Sequence, residues 1–502
     1  VNTSKTQTTE PVLLADAFAS RERPVLTGRT GAVSAADPFA AAAAQEILTA
    51  GGSAVDAMVA AQAVLAVVAP DACGLGGDML CLIREPDGNV LALNGTGAAP
   101  AKLTKVATDG GAGITVPGMV AAWDVALERH GRLSFSRVLE PAIRIARLGM
   151  RMPASLARAA QTHRPRLERY GAGQWGLLAA QVGDLVIQNE LAMTLDRIGK
   201  EGLGGFYRGE CAAATAAAVQ AQGGALSIGD LASHQTIVAD PIAVTFRGAR
   251  LMVQPPISQG VLLAMAAQAL SDLGDVPGDR LDHAAIELTE ASFAYRDHIA
   301  EGDRLLKKKL TLDLDKAGHR GGPRAYLHTA GVSVADRHGC VVSSLVSVFD
   351  DFGSGVLVPE CGFVLNNRAG GFTRAPNDAA PGKRPVHTLA PAMLETARGA
   401  IALSTPGADG QVQTLLQVLS GLMIEGIDLA TAIGRPRWRS ENGLLLVEQS
   451  HPRQDLLAEL GHKVTPMRDG DMRAGAVTAA GSIDGAPIAC GDWRRHTWAG
   501  IV

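Results

Sequence analysis

The chain has 502 residues, 47% hydrophobic and 19% charged, which is enough apolar content for a large core and, by length alone, for two to four domains. A net charge of −4 and a pI near 6.3 give no basic field that would recruit nucleic acid or anionic lipid. No apolar run reaches the roughly 18–20 residues of a membrane span, so neither nucleic acid nor membrane is expected as a partner.

Residues 1–30 open with polar Asn, Thr, Ser and Gln and read as a loosely attached N-terminal arm. No signal-peptide pattern is visible there, which favours a cytoplasmic location, or a periplasmic one if a presequence was trimmed. Asp37-Pro38 reads as the cap and first-turn proline of a helix closed by Gly51-Gly52. Ser53 and Asp56 resemble a capping box for a very apolar helix that stops before Pro70. Gly74, Gly76 and Gly77 follow, without the Lys-Ser/Thr of a P-loop. A hairpin is predicted next, with strands at 79–84 and 90–94 around Asp87-Gly88. Residues 120–300 read as mainly helical, punctuated by Pro141, Pro153, Pro255 and Pro256. At 301–328 the composition changes, with Lys307-Lys308-Lys309 and Gly321-Gly322-Pro323, and predicts an exposed connecting segment. Strand pattern begins at once after it, at Val332, Val334 and 341–348. A strand at 401–404 leads through Pro406-Gly407-Ala408-Asp409 into a helix whose Val412, Leu415, Leu416, Leu419, Leu422 and Met423 share one face.

The six cysteines, at 73, 81, 211, 340, 361 and 490, form no C-x-x-C pair and read as small buried residues. The twelve histidines are scattered without H-x-x-x-H or H-E-x-x-H, so no metal and no cofactor is expected.

Chemistry enters at Thr329, which a solvated linker delivers to the start of a strand. A threonine hydroxyl is a poor nucleophile unless a base takes its proton. At a chain terminus its own α-amine, with a pKa near 8, can do so. On local pattern alone, an ordinary strand threonine explains the residue as well.

The segment Thr329-Ala-Gly-Val-Ser333-Val-Ala-Asp336 resembles the small-subunit start of γ-glutamyltransferases, approximately T-[TA]-H-x-S-V-x-D. Further matches run in the family's order: 51–57, Gly74–Gly77, Val116-Pro117-Gly118, Leu139-Glu140-Pro141-Ala142 and Phe206-Tyr207-Arg208-Gly209-Glu210. Phe352-Gly353-Ser354-Gly355, Asn366-Asn367, Pro381-Gly382-Lys383-Arg384-Pro385 and Ser404-Thr405-Pro406-Gly407 complete the series, which covers about residues 30 to 500. Asn367-Arg368 and Arg384-Pro385-x-His387-Thr388 are similar to a divergent branch with oxamate amidohydrolases and transferase-like cephalosporin acylases.

The resemblance implies an α+β fold, a four-layer αββα sandwich of the N-terminal-nucleophile hydrolases, built as one intertwined unit. It implies self-cleavage by attack of Thr329 on the His328 carbonyl, giving a large subunit (31–328 after the arm) and a small subunit (329–502). The partners expected are therefore these two self-derived subunits, as an αβ heterodimer or a dimer of it, and a small-molecule amide. Thr329 would be the nucleophile, Ser347 its supporting hydroxyl, and Gly407 and Ala408 the oxyanion hole, provided the backbone at Ala408 does not need φ > 0. The family's contacts to a glutamyl head group fall on Thr96, Phe349, Arg368, Gly371, His387 and Thr388, and nearly all of its partners are gone. Arg368 and His387 suit a carboxylate-bearing amide without an α-amine, such as oxamate; pairing of Arg368 with an acidic side chain such as Asp350 or Asp351 is the structural alternative. Two rival functions stay open, a true γ-glutamyltransferase or glutathione hydrolase and an uncleaved ligand-binding homologue. No G-x-S-x-G elbow supports a serine hydrolase.

Overall fold

The structure, a computed structural model, describes residues 23–320 and 329–502. Most of the expected arm (1–22) and the stretch 321–328, with Gly321-Gly322-Pro323 and His328, lie outside the described residues.

The first helix, Pro38–Thr49, starts where the Asp37 carboxylate accepts the Phe39 N–H at 2.7 Å. The second, Ala54–Val68, opens with the reciprocal Ser53–Asp56 capping box, and all of its 15 residues are buried. Its Ala- and Val-rich surface has no polar face to turn to water, so it fits only beneath other layers. It packs on the strands Ala330–Asp336 and Val341–Ser347.

Two seven-stranded sheets carry the core. The first has the spatial order Trp498–Ile501, Gly31–Ala35, Ala330–Asp336, Val341–Ser347, Asp78–Arg84, Val90–Gly95, Ile237–Ala239. The second runs Leu26–Thr27, Ala486–Gly491, Thr478–Ile483, Gly399–Ser404, Ala392–Thr396, Ala249–Val253, Ile242–Phe246. Every pairing within both sheets is antiparallel, so the chain has a mixed α/β fold with antiparallel sheets.

Alternation along Ala330–Asp336 decides what faces what. Ala330, Val332 and Val334 join the core that contains Ala54–Val68. Ser333 Oγ instead donates to the Thr478 carbonyl at 3.1 Å, on the second sheet. Gly331 shares the Ser333 face, and a Cβ there would fall 2.6 Å from Ser404 Oγ, so only glycine allows the sheets to approach so closely.

Four expectations need correction. The arm does not extend to residue 30, because Leu26 and Thr27 pair with Ala489 and Ile488 as an edge strand. Pro141 does not punctuate; it lies inside the helix Phe135–Leu148. The segment beyond 301 is not simply exposed linker. Gly302 and Leu305 are buried in the helical turns Arg296–Lys307, and the Ala317 N–H bonds to the Leu460 carbonyl at 2.8 Å. The helix Gly410–Ser420 is buried all round rather than on one face. Two of its glutamines are satisfied internally: Gln413 and Gln417 donate at 3.0 Å to the carbonyls of Ser440 and Trp438.

Candidate active site

Three adjacent strands of the first sheet bring the predicted nucleophile to its neighbours. Ala330 pairs with Val346, so Thr329, one residue earlier, stands opposite Ser347. Ser347 pairs in turn with Asp78. The period of two puts Thr329 on the face of Gly331 and Ser333, and Ser347 on the face of Ser343, whose hydroxyl donates to the Leu403 carbonyl at 2.8 Å. All three side chains therefore look toward the second sheet. With strands about 4.8 Å apart, Asp78 lies roughly 10 Å from Thr329. Thr329 is 4% and Ser347 2% exposed, so both side chains are buried. Ser347 Oγ accepts the Phe349 N–H at 2.9 Å, which leaves its own proton as the one it can donate.

Asp78 was not singled out in the sequence, yet it organises the predicted head-group residues. Its carboxylate accepts from Arg368 Nε at 2.9 Å, His387 Nε2 at 3.2 Å and the Gly97 N–H at 3.2 Å. Arg368 thus pairs with an acidic side chain, as the structural alternative held, though the acid is Asp78 and not Asp350 or Asp351; its guanidinium also stacks 4.4 Å over the Phe349 ring. Phe349 holds this place at φ 86, a backbone conformation unusual for a bulky side chain. His387 Nδ1 accepts the Leu389 N–H at 3.1 Å, so its proton is on Nε2, directed at Asp78. Burial, and next the Arg368 charge, push the His387 pKa down to about 4 against the pull of Asp78, and the ring is neutral. Burial alone would raise the Asp78 carboxyl, but the His387 hydrogen bond and the Arg368 charge outweigh it and hold it below its usual value.

The remaining predicted residues take quieter parts. Thr96 donates its hydroxyl to Asn94 Oδ1 at 2.6 Å, so it braces the turn that delivers Gly97 to Asp78. The Gly371 carbonyl accepts from Asn377 Nδ2 at 2.8 Å. The Thr388 carbonyl accepts from Gln259 Nε2. Asn366 accepts the Arg368 N–H at 3.0 Å and donates to the carbonyls of Gly76 and Thr115, which fixes the Arg368 loop to the first sheet.

Pro406–Ala408 joins the second sheet to the helix Gly410–Ser420, and Pro406 shares a cavity of about 450 Å³ with Thr329. Gly407 has φ 122 and Ala408 φ 48. The proviso attached to Ala408 is thus not met: this position does need positive φ. The value lies in the left-handed region that a non-glycine residue can enter at modest cost, so the N–H is retained. Its direction is set from behind. The Gly407 carbonyl accepts from Gly410 N at 2.8 Å and Arg439 Nη1 at 3.2 Å. In a trans peptide the Ala408 N–H points the opposite way, away from Arg439. The Ala408 carbonyl accepts from Gln259 Nε2 at 2.7 Å, and that same nitrogen holds Thr388, tying the Gly407–Ala408 loop to the His387-Thr388 segment. Arg439 and Gln259 were missed in the sequence, since nothing local distinguishes them from other polar residues.

The Thr329 cavity also holds Asp37, Asp71, Arg495 and His496. Burial, and next the charge of Asp351, push the Asp71 carboxyl up to about 6. A larger cavity of about 1080 Å³, beside Ile242–Phe246, contains none of the predicted site residues.

Residues 40–502 match the model of the family described as Gamma-glutamyltranspeptidase. The chain belongs to the gamma-glutamyltranspeptidase family. As a family member it is a hydrolase of the N-terminal-nucleophile type, and its relatives are proenzymes. It is 33% identical to the oxamate amidohydrolase proenzyme of Klebsiella pneumoniae subsp. pneumoniae, over 86% of this chain and 90% of that protein. It is 31% identical to the acylase ACY 1 proenzyme of a Pseudomonas species (strain SE83), over 95% of this chain and 94% of that one. Among solved structures it is similar to the cephalosporin acylase of Bacillus halodurans, with a TM-score of 0.86 at 25% identity, over 98% of this chain and 99% of that one. This family member therefore sits with the amidohydrolase and acylase branch that Asn367-Arg368 and His387-Thr388 suggested.

Proposed function

We propose that the chain is a precursor that cuts itself before Thr329, and that the product hydrolyses a small carboxylate-bearing amide, with oxamate as the leading substrate. In the cut, Thr329 Oγ attacks the His328 carbonyl and the peptide C–N bond breaks. Water then hydrolyses the resulting ester, leaving 1–328 and 329–502 within one four-layer αββα body. In turnover, Thr329 Oγ attacks the substrate carbonyl while its freed α-amine takes the proton. The Gly407 and Ala408 N–H groups carry the oxyanion, and the Ser347 hydroxyl supports the nucleophile. The amine returns the proton to the departing nitrogen, the C–N bond breaks, and water releases the acid from the threonyl ester.

The observation that carries the substrate class is the buried Arg368–Asp78–His387 cluster on the Thr329 side of the sheet. Asp78 already accepts three N–H groups, and His387 is neutral and donates to it. With three of about four Asp78 acceptor positions taken, a glutamyl ammonium would find little to accept its protons and would meet the charge of Arg368. The sign of the Arg368 charge favours a carboxylate over an ammonium near this cluster. Turnover of oxamate, a γ-glutamyl anilide and an acyl-β-lactam amide tests this reading. The best carboxylate-bearing amide should exceed the γ-glutamyl anilide by at least about 100-fold in kcat/KM, a gap of about 2.7 kcal/mol. Efficient glutathione turnover would overturn it and restore an ordinary transferase.

A further inference from the structure

Histidines that look scattered in the sequence converge away from the Thr329 cavity. His283 and Glu287 stand one turn apart on the helix Leu281–Phe293, both fully buried. His462 reaches them from just ahead of the strand Val464–Met467. His283 Nδ1 and His462 Nε2 are 2.7 Å apart, and one ligand atom from each of the three residues lies within 4.8 Å of the others. His283 Nε2 lies 2.8 Å from the Asp313 carbonyl, an acceptor only, so the proton is on Nε2 and the Nδ1 lone pair faces His462. Metal-binding imidazoles show this same arrangement, with the second ring nitrogen anchored to a carbonyl. Glu287 accepts the Gly318 N–H at 2.9 Å and the Arg320 guanidinium. A carboxylate has about four lone-pair positions, so these bonds do not exhaust it. A cavity of about 130 Å³, lined by Glu290, His319 and His462 among others, offers a route in.

We propose that His283 Nδ1, His462 Nε2 and the Glu287 carboxylate bind one divalent transition-metal ion of the zinc class. Tetrahedral ligands at about 2.0–2.1 Å from zinc are about 3.3 Å apart, so the two rings must separate by about 0.6 Å and Glu287 must close in. The His462 proton moves to its Nδ1, both rings bind as neutral imidazoles, and no redox change occurs. Two ligands lie in 1–328 and one in 329–502, so the ion would also join the two pieces; that consequence, unlike the site, rests on the self-cleavage reading.

The test uses the full chain and its Thr329→Ala variant, stripped with chelator and titrated with Zn²⁺ and Co²⁺. Both proteins should bind one ion per chain, Co²⁺ should give a tetrahedral visible spectrum, and Zn²⁺ should raise Tm. His283→Gln and His462→Gln should each weaken binding at least about 10-fold. Absence of stoichiometric binding in the wild type would overturn the site whatever the variants do, and unchanged binding in the folded double variant would mark an adventitious ion. Because Thr329→Ala is scored separately, failure of metal binding leaves the cleavage reading untouched.

Discussion

Arg368 Nε donates to Asp78 Oδ2 at 2.9 Å, and both side chains are completely buried. Truncating the cation leaves a carboxylate in a site that cannot hydrate it. Arg368→Ala should therefore destabilise the protein by about 3–5 kcal/mol, measured by urea unfolding. An Asp78→Asn/Arg368→Gln double variant should recover part of that loss, because it removes both charges. A loss below about 1 kcal/mol in Arg368→Ala would mean that the pair does not hold the site together.

Ala408 occupies φ 48, where an added methyl costs little but a branched side chain costs more. Ala408→Gly should keep activity and change stability by less than about 1 kcal/mol, since relief of strain offsets the greater freedom of the unfolded glycine. Ala408→Val should lose roughly 10²-fold or more in kcat as the N–H swings away from the oxyanion. Equal activity of the glycine and valine variants would remove this N–H from the mechanism.

Arg439 donates to the Gly407 carbonyl, behind the Ala408 N–H, where it would act as a positioning residue for the proposed oxyanion hole. Arg439→Lys keeps the charge but loses the rigid planar fork. Loosening the Gly407–Ala408 peptide should lower kcat about 10-fold or more while KM changes little. A rise in KM at constant kcat would place Arg439 in binding instead.

His387 is neutral because burial and the Arg368 charge depress its pKa to about 4. An unfolded histidine takes up a proton near pH 6.5, so between pH 6.5 and 4 the unfolded state binds more protons than the folded one. Stability should then be fully present above pH 6.5 and fall as pH is lowered toward 4. His234, also depressed to about 4 chiefly by burial, adds to the same trend. In His387→Gln the decline in Tm over this window should be shallower; an identical slope would mean that His387 titrates normally.

Local signals made much of this fold legible. Asp37, Ser53 and Asp56 announced two helix starts because caps act within a few residues. Val332, Val334 and the run after Val341 announced two central strands. Pro141 misled because it stands mid-helix, where a proline removes one hydrogen bond and crowds the carbonyl of the preceding turn, a local cost that tertiary packing absorbs here. In the site, Thr329, Ser347 and Gly407 were visible through motif order. Asp78 was visible in principle, as a lone acid opening an otherwise apolar strand. Its partners come from 290 and 309 residues away, a relation no local pattern carries. The same holds for Gln259 and Arg439, and for His462 meeting His283 across 179 residues.

The central claim is that Thr329 becomes an N-terminal nucleophile by cutting its own chain, and intact mass with N-terminal sequencing tests it most directly. Wild-type protein should resolve into two pieces, the smaller starting Thr-Ala-Gly-Val, while Thr329→Ala should remain a single full-length chain. Active wild-type protein that stays in one piece, or a smaller piece with a different first residue, would contradict the account.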